Sequence, residues 1–145
     1  MENWTVRLKA EDLDAIRRFG ESAYPHECCG LLLGRLEKGE KFLEELYPVA
    51  NTWDEDTRHK RFLISPVQLI QGEKHAREKK LEVLGFYHSH PDAEAKPSSF
   101  DLENAWPFYS YIIVAIKARR AKELNSWRMV EDRTRFDPES IITIK

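Results

Sequence analysis

The chain of 145 residues carries 23 Lys and Arg against 25 Asp and Glu, so its formal net charge is −2 with neutral histidines. This near-balance argues against a dedicated nucleic-acid binder, because such proteins usually carry a large basic excess. A hydrophobic fraction of 41% argues against intrinsic disorder, and no apolar run is long enough to cross a membrane. The start, MENWTVRLKAED, contains no apolar leader, and the two cysteines are adjacent, so we expect a cytoplasmic protein.

The first half of the chain is predicted to contain a helix and a hairpin. Residues 11–24 show apolar groups at helical spacing behind an acidic first turn, and Pro25 ends this helix. Two apolar runs, 29–36 and 42–49, surround Glu-Lys-Gly-Glu and predict a β-hairpin. The other predicted segments of this half are a short edge strand at 5–8, a surface loop at 51–61 and a short strand at 62–64.

The second half alternates helices and strands. Ser65 followed by proline is typical of a helix N-cap and first helical position, so a helix is predicted from there to about residue 82. A shorter helix is capped by Ser98 or Ser99 and runs to about residue 106. The strands of this half are predicted at 83–87, 109–117, 123–131 and 133–144, with a loop at Asp137-Pro138.

The order of these elements predicts the fold class. Helices that lie between strands indicate an α/β architecture. Residues 109–117 are almost continuously apolar, which is typical of a central strand covered on both faces. We therefore predict a single domain over residues 1–145, a layered α/β sandwich whose central mixed sheet is flanked by helices.

The chemistry concentrates in the segment His88-Ser89-His90-Pro91 and in Asp101. Two histidines at positions i and i+2 of an extended strand point to the same side, so both imidazoles can reach one metal ion. Asp101 follows in the first turn of the next predicted helix and can return as a third ligand. Two histidines and one carboxylate leave the fourth tetrahedral position open for water, which is typical of a catalytic zinc site.

The order His-x-His-Pro, six residues, Ser-x-x-Asp, with a glutamate upstream, resembles the motif of the JAMM (MPN+) metalloproteases. The segment PHECCGLLLG at 25–34 resembles the part of that family that places the catalytic glutamate at the start of a strand. Asn51 and the run FLISP at 62–66 resemble the small bacterial and archaeal members. The likeness extends over roughly residues 10–117 and implies the family's cytidine-deaminase-like layered fold.

The resemblance implies a role for each residue of this set. His88, His90 and Asp101 hold Zn²⁺, whose charge lowers the pKa of a bound water toward about 7. Glu27 is the general base that takes the water proton and then gives it to the leaving amine. Ser98 donates a hydrogen bond to the oxyanion, and its plainer alternative is an N-cap of the helix that follows.

The neighbours of Glu27 invite other interpretations. Cys28 and Cys29 could suggest a thiol nucleophile, but the apolar run beside them favours buried structural thiols. His26 is assigned to a solvent-facing position, and Asn51 only to loop geometry.

Other function classes are less consistent with the sequence. A nucleoside deaminase would share the zinc chemistry, but the Pro-Cys-x-x-Cys pair of that class is absent. The His-Glu-x-x-His helix of the zincins is absent as well. The remaining alternative is a catalytically inactive MPN-type scaffold or interaction domain, although scaffold members typically lose the ligands that this chain keeps.

The resemblance also implies a substrate. Small prokaryotic members resemble enzymes that cut after the C-terminal Gly-Gly of ubiquitin-like or sulfur-carrier proteins, so a carrier with such a tail is the expected partner. An extended tail is expected to pair with a strand edge near residues 83–88. A general zinc peptidase without diglycine preference stays open, as does the leaving group. A homodimer, the commonest oligomer of small proteins, also stays open.

Overall fold

The computed structural model describes residues 5–51 and 64–144, which contain one mixed sheet of seven strands and three helices. None of these helices is long and apolar enough to cross a membrane. In chain order the elements are β1 (Thr5–Lys9), α1 (Ala10–Ala23), β2 (Cys29–Glu37), β3 (Glu40–Val49), α2 (Pro66–Glu78), β4 (Glu82–Pro91), α3 (Ser99–Asn104), β5 (Ser110–Lys117), β6 (Arg120–Met129) and β7 (Phe136–Ile144).

The sheet closes on itself. Its strands are hydrogen-bonded in the order β1-β3-β2-β4-β5-β6-β7, and β1 also pairs with β7. The predicted α/β class and mixed sheet are confirmed, but a closed, barrel-like sheet takes the place of the open, helix-flanked sheet of a layered sandwich. The difference originates in β1, which is not the edge strand that we predicted. It pairs in parallel with β3 and with β7, so both of its backbone edges find hydrogen-bond partners.

Both faces of the central strands are buried. Along β2 the side chains alternate between two apolar clusters, because successive residues of a strand point to opposite faces. Leu32 packs with Ile16 of α1, while Leu31 and Leu33 pack with Ala76 of α2. Every residue of β5 except Lys117 is buried, which confirms the prediction of a central strand.

Several predicted boundaries shift for local physical reasons. The helix from Pro66 ends at Glu78 instead of about residue 82, and Lys80 adopts a left-handed φ of 61° just beyond it. The loop predicted at Asp137-Pro138 is wrong, because both residues lie within β7 and pair with β6. Proline is tolerated there because β1 pairs only with residues 140–144, beyond Pro138. The predicted segments 52–61 and 62–63 lie outside the described residues.

The strand that carries both histidines is paired on both sides from Gly85 to His88. β4 runs from Glu82 to Pro91 and is hydrogen-bonded to β2 on one side and to β5 on the other. Residues 85–88 therefore offer no free strand edge to a substrate tail, and the expectation that a tail adds to an edge near residues 83–88 is wrong for them. What β4 offers instead is a side-chain face between two neighbouring strands.

Candidate metal centre

Strand alternation places the two histidines together. His88 and His90 lie two residues apart on β4 and therefore project from the same face. Both are buried, and their Nε2 atoms are 3.1 Å apart. The Nδ1–H of His90 donates to the carbonyl oxygen of Glu94 at 2.9 Å. A carbonyl oxygen only accepts hydrogen bonds, so the proton of a neutral His90 ring lies on Nδ1. The Nε2 atom of His90 then carries a lone pair, and this atom faces His88.

The third side chain arrives from the first turn of α3. Ser98 is the N-cap, and its Oγ accepts a hydrogen bond from the Asp101 N–H at 3.1 Å. In return the Asp101 Oδ2 accepts from the Ser98 N–H at 2.8 Å, which completes a capping box. The same Oδ2 lies 3.2 Å from His90 Nε2 and 3.4 Å from His88 Nε2. The cap therefore orients the Asp101 carboxylate toward both imidazoles.

These three atoms have the separations of metal ligands. Their mutual distances are 3.1, 3.2 and 3.4 Å. Ligands about 2.0–2.1 Å from a tetrahedral zinc ion are roughly 3.3–3.4 Å apart, so the triangle has close to the dimensions that zinc requires. Two nitrogens and one carboxylate oxygen are also a donor set that zinc accepts, with one coordination position left over.

The protonation states favour the same conclusion. Burial lowers the pKa of His88, against the opposing effect of the neighbouring Asp101 carboxylate. Burial alone would raise the pKa of Asp101, but the two imidazoles outweigh it and hold that pKa well below its ordinary value. An ionised carboxylate is the form of Asp101 that can bind a metal cation.

A second carboxylate lies close by. Glu27 is only 4% exposed, and a carboxylate oxygen of Glu27 and one ring nitrogen each of His88 and His90 lie within 4.8 Å of one another. These three side chains could therefore also hold a metal ion. Asp101 approaches both imidazoles to 3.4 Å or less, so its oxygen is the better placed of the two carboxylates to complete the triangle.

Backbone contacts fix Glu27 beside the histidines. The Cys28 N–H donates to Ser89 Oγ at 2.8 Å, and the Ser89 N–H donates to the Cys28 carbonyl at 3.2 Å. The side-chain amide of Asn51 donates to the Glu27 carbonyl at 3.2 Å. The sequence did not predict that Ser89 holds the backbone next to Glu27, and it predicted for Asn51 only a part in the loop conformation. The position of Ser89 between the two histidines was the one feature of the sequence that could have indicated its role.

The cysteines are poor nucleophiles. Burial raises the pKa of Cys28 to about 11 and raises that of Cys29 further. Because the thiolate is the reactive form, these shifts support the interpretation of structural thiols. His26 is half-buried, and its Nδ1 atom is shielded from solvent. The predicted solvent-facing position of this residue is therefore only partly correct.

A cavity of about 250 Å³, which the sequence pattern does not predict, opens beside the metal-ligand triangle. His88 and Asp101 belong to its wall together with apolar and aromatic side chains that include Phe86, Phe100 and Trp106. The aromatic residues come from β4, from α3 and from the chain after α3. The one feature of the sequence that could have indicated this cavity is the position of Phe86, two residues before His88 on the same face of the strand.

Known proteins resemble this chain in sequence. The family model for prokaryotic homologs of the JAB domain matches residues 9–130. A desampylase of Haloferax volcanii is 30% identical over 96 residues, which are 66% of this chain and 66% of that protein. The CysO-cysteine peptidase of Mycobacterium tuberculosis is 25% identical over 140 residues, covering 96% of this chain and 92% of that protein. Tail tip assembly protein K of Escherichia phage N15 is 31% identical over 94 residues, 65% of this chain but only 34% of the phage protein.

Solved structures share the fold. The solution structure of protein DSY2949 from Desulfitobacterium hafniense is 28% identical, covers 97% of this chain and 93% of its own, and superposes with a TM-score of 0.84. AF2198, a JAB1/MPN domain protein from Archaeoglobus fulgidus, is 20% identical over 94% of this chain and 96% of its own, with a TM-score of 0.55. With the family model matched over most of the chain, this protein belongs to the family of prokaryotic homologs of the JAB domain.

Proposed function

We propose that this protein is a zinc-dependent peptidase or isopeptidase that hydrolyses the amide bond after the C-terminal Gly-Gly of a ubiquitin-like or sulfur-carrier protein. The observation that carries the proposal is the convergence of His88, His90 and Asp101 on one point, with the Glu27 carboxylate next to it. That two relatives are named desampylase and CysO-cysteine peptidase supports a protein-conjugate substrate.

His88, His90 and Asp101 are the residues that would hold the zinc ion. When bound there, zinc supplies positive charge that acidifies water and polarises the scissile carbonyl. The contact from His90 to the Glu94 carbonyl orients the His90 ring, and the capping box orients the Asp101 carboxylate. Two of the three ligand side chains are therefore oriented by hydrogen bonds of the chain itself.

Glu27 is the residue that moves the proton. Its carboxylate lies within 4.8 Å of the imidazole nitrogens, a range that one intervening water can bridge. From this position Glu27 accepts a proton from the attacking water and passes it to the amine nitrogen as the carbon–nitrogen bond breaks. Without that proton the amine would have to leave as an anion, which is far too basic to leave at neutral pH.

We propose that Ser98 stabilises negative charge on the carbonyl oxygen. Its Oγ already accepts the Asp101 N–H, and its hydroxyl proton remains available to donate. A donor aimed at the position where charge develops contributes to the rate only while that charge exists. This use of Ser98 is compatible with its capping role, since the two contacts use different parts of the hydroxyl.

Replacing Ser98 with alanine separates the two roles. Because the cap also orients Asp101, zinc content is measured on the same preparation, and we expect kcat per bound zinc to fall about 10²–10³-fold as one oxyanion donor is lost. Loss of the cap should lower the free energy of unfolding by about 1 kcal/mol. Ser65 is a matched control, since it caps α2 through a capping box of the same kind and is not among the residues that line the cavity beside the metal centre. If Ser98→Ala and Ser65→Ala retain equal kcat, Ser98 is a cap and nothing more.

A diglycine tail suits the recessed metal centre. His88, His90 and Asp101 are each less than a tenth exposed, so the scissile carbonyl has to approach a point below the surface. Glycine can make this approach because it has no side chain to collide with the walls. The tail cannot join the edge of β4 between Gly85 and His88, because that stretch is already paired on both sides. We therefore propose that the tail runs along the side-chain face of β4.

The test of this function compares two substrates that differ only in the tail. A carrier-tail adduct ending in Gly-Gly and the same adduct ending in Ala-Ala are incubated with the zinc-loaded protein, and kcat/KM is measured for both. We expect strong preference for the diglycine adduct, on the order of 10²-fold, since two methyl groups must approach a buried metal centre. Equal rates on both adducts would indicate a general zinc peptidase. No turnover of any adduct by zinc-loaded protein would favour the scaffold alternative.

A further inference from the structure

The aromatic cavity beside the metal-ligand triangle has no part in the chemistry described above. Its volume of about 250 Å³ is much larger than the roughly 30 Å³ of a water molecule and smaller than the ~300–1,000 Å³ of sites for drug-sized ligands. Four of its lining residues are aromatic: Phe86, Phe100, Trp106 and Tyr111. A cavity of this size and lining accommodates one or two apolar side chains.

The cavity and Glu27 lie at opposite ends of the metal centre. β2 and β4 are antiparallel, with Cys29 paired to His88. The contacts between Cys28 and Ser89 continue this register, so Glu27 lies at the level of His90. The cavity extends the other way, toward Phe86, which is two residues before His88 on the same face of β4.

The position of Glu27 fixes the direction in which the substrate lies. This step rests on the proposed function, in which Glu27 delivers its proton to the leaving amine. The amine must then lie at the Glu27 end of the centre, and the acyl chain extends from the scissile carbonyl toward Phe86. We propose that the aromatic cavity binds an apolar side chain of the carrier tail, on the acyl side of the cleaved bond.

The length of an extended chain indicates which tail residue this is. A strand rises about 3.3 Å per residue, so a peptide running beside β4 advances by two residues between His88 and Phe86. The two glycines occupy the positions next to the scissile bond, where no side chain fits. The residue that immediately precedes Gly-Gly therefore brings its side chain to the cavity. The preferred substrate is a carrier with an aliphatic or aromatic residue at that position.

Trp106 is the lining residue best suited to a test. It is 58% exposed, so its removal should not disturb the core. Phe108 is a matched control in the same segment: it is 60% exposed, and an arginine guanidinium covers its ring, as Arg133 covers that of Trp106. Trp106 lines the cavity, whereas Phe108 is not among its lining residues.

The experiment measures kcat/KM of the zinc-loaded full chain on a set of adducts. The residue before Gly-Gly is Leu, Phe, Ser or Asp, and the amine is kept constant. We expect the wild-type protein and Phe108→Ala to prefer Leu and Phe over Ser and Asp by at least about 10-fold. Trp106→Ala should lose most of this preference, chiefly through a higher KM for the apolar adducts.

Three results would overturn the inference. The first is equal rates on all four adducts, and the second is a preference that Trp106→Ala and Phe108→Ala reduce to the same extent. Either result would show that the cavity does not bind the side chain before Gly-Gly. In a second set, in which the tail is constant and the amine varies, a Trp106-dependent preference for apolar amines would assign the cavity to the leaving-group side. In these cases the Gly-Gly adducts are still cleaved and the proposed function survives. Failure of the wild-type protein to cleave any adduct would instead overturn the function, and this inference with it.

Discussion

Replacing Glu27 with glutamine is expected to lower kcat by about 10²–10⁴-fold while the protein keeps its zinc and its affinity for the carrier tail. Glutamine preserves the size of the side chain and its hydrogen-bonding capacity, but it cannot take up a proton at neutral pH. The backbone contacts of Asn51 and Ser89 around this position do not involve the carboxylate, so the fold should be unaffected. Single-turnover kinetics, zinc analysis and tail binding on the same preparation separate these quantities.

The outcome of that experiment also discriminates between the two carboxylates. Glu27 and Asp101 both lie near the imidazole nitrogens, and either could complete a three-residue ligand set. Loss of zinc from Glu27→Gln would identify Glu27 as a ligand, and the proton transfer would have to be assigned to another group. Retention of zinc together with full turnover would exclude Glu27 from the chemistry altogether.

Removing the histidines is expected to abolish metal binding. The His88→Ala, His90→Ala double variant should fall from about one zinc per chain to a background level, and its activity should be lost, because the two remaining carboxylates bind zinc weakly without the imidazoles. The variant should still fold, since the apolar clusters on both faces of β2 do not depend on a metal. Elemental analysis gives the zinc content, and circular dichroism reports the fold.

A control for this experiment is available on α2. His75 is a half-buried histidine whose Nε2 lies 2.6 Å from Glu45 Oε2. It is a histidine–carboxylate pair that is not part of the ligand triangle, so His75→Ala should retain full zinc and full activity. Full zinc in the double variant would contradict the assignment of His88 and His90. Zinc loss in His75→Ala would show that metal content reports stability instead of ligation.

The sequence predicted which of these side chains come together better than it predicted how the sheet closes. Metal ligands are constrained by local rules: alternation on a strand brings His88 and His90 to one face, and a helix N-terminus after a short loop can orient Asp101. These rules act over a few residues and can be read from spacing. The structure brings His88, His90, Asp101 and Glu27 together as the motif implied, and it places Ser98 next to Asp101.

Closure of the sheet depends on contacts that spacing does not reveal. β1 joins β7 from the opposite end of the chain. A buried ion pair accompanies this closure: Lys41 Nζ lies 3.4 Å from Glu139 Oε2 and donates to Ser110 Oγ at 2.7 Å. In the sequence Lys41 and Glu139 are ordinary charged residues 98 positions apart, and charged residues are buried only when paired. The aromatic cavity is a similar case, since its wall combines residues from several elements.

The most direct test of the central claim is a zinc titration of the metal-free protein. Zinc is removed by chelation and added back stepwise, and hydrolysis of the diglycine adduct is measured at each step. We predict that activity is absent without metal, rises in proportion to added zinc and reaches its plateau at about one zinc per chain, while Glu27→Gln binds the same amount without turnover. Full activity in the metal-free protein, or equal turnover by Glu27→Gln at one zinc per chain, would contradict the account.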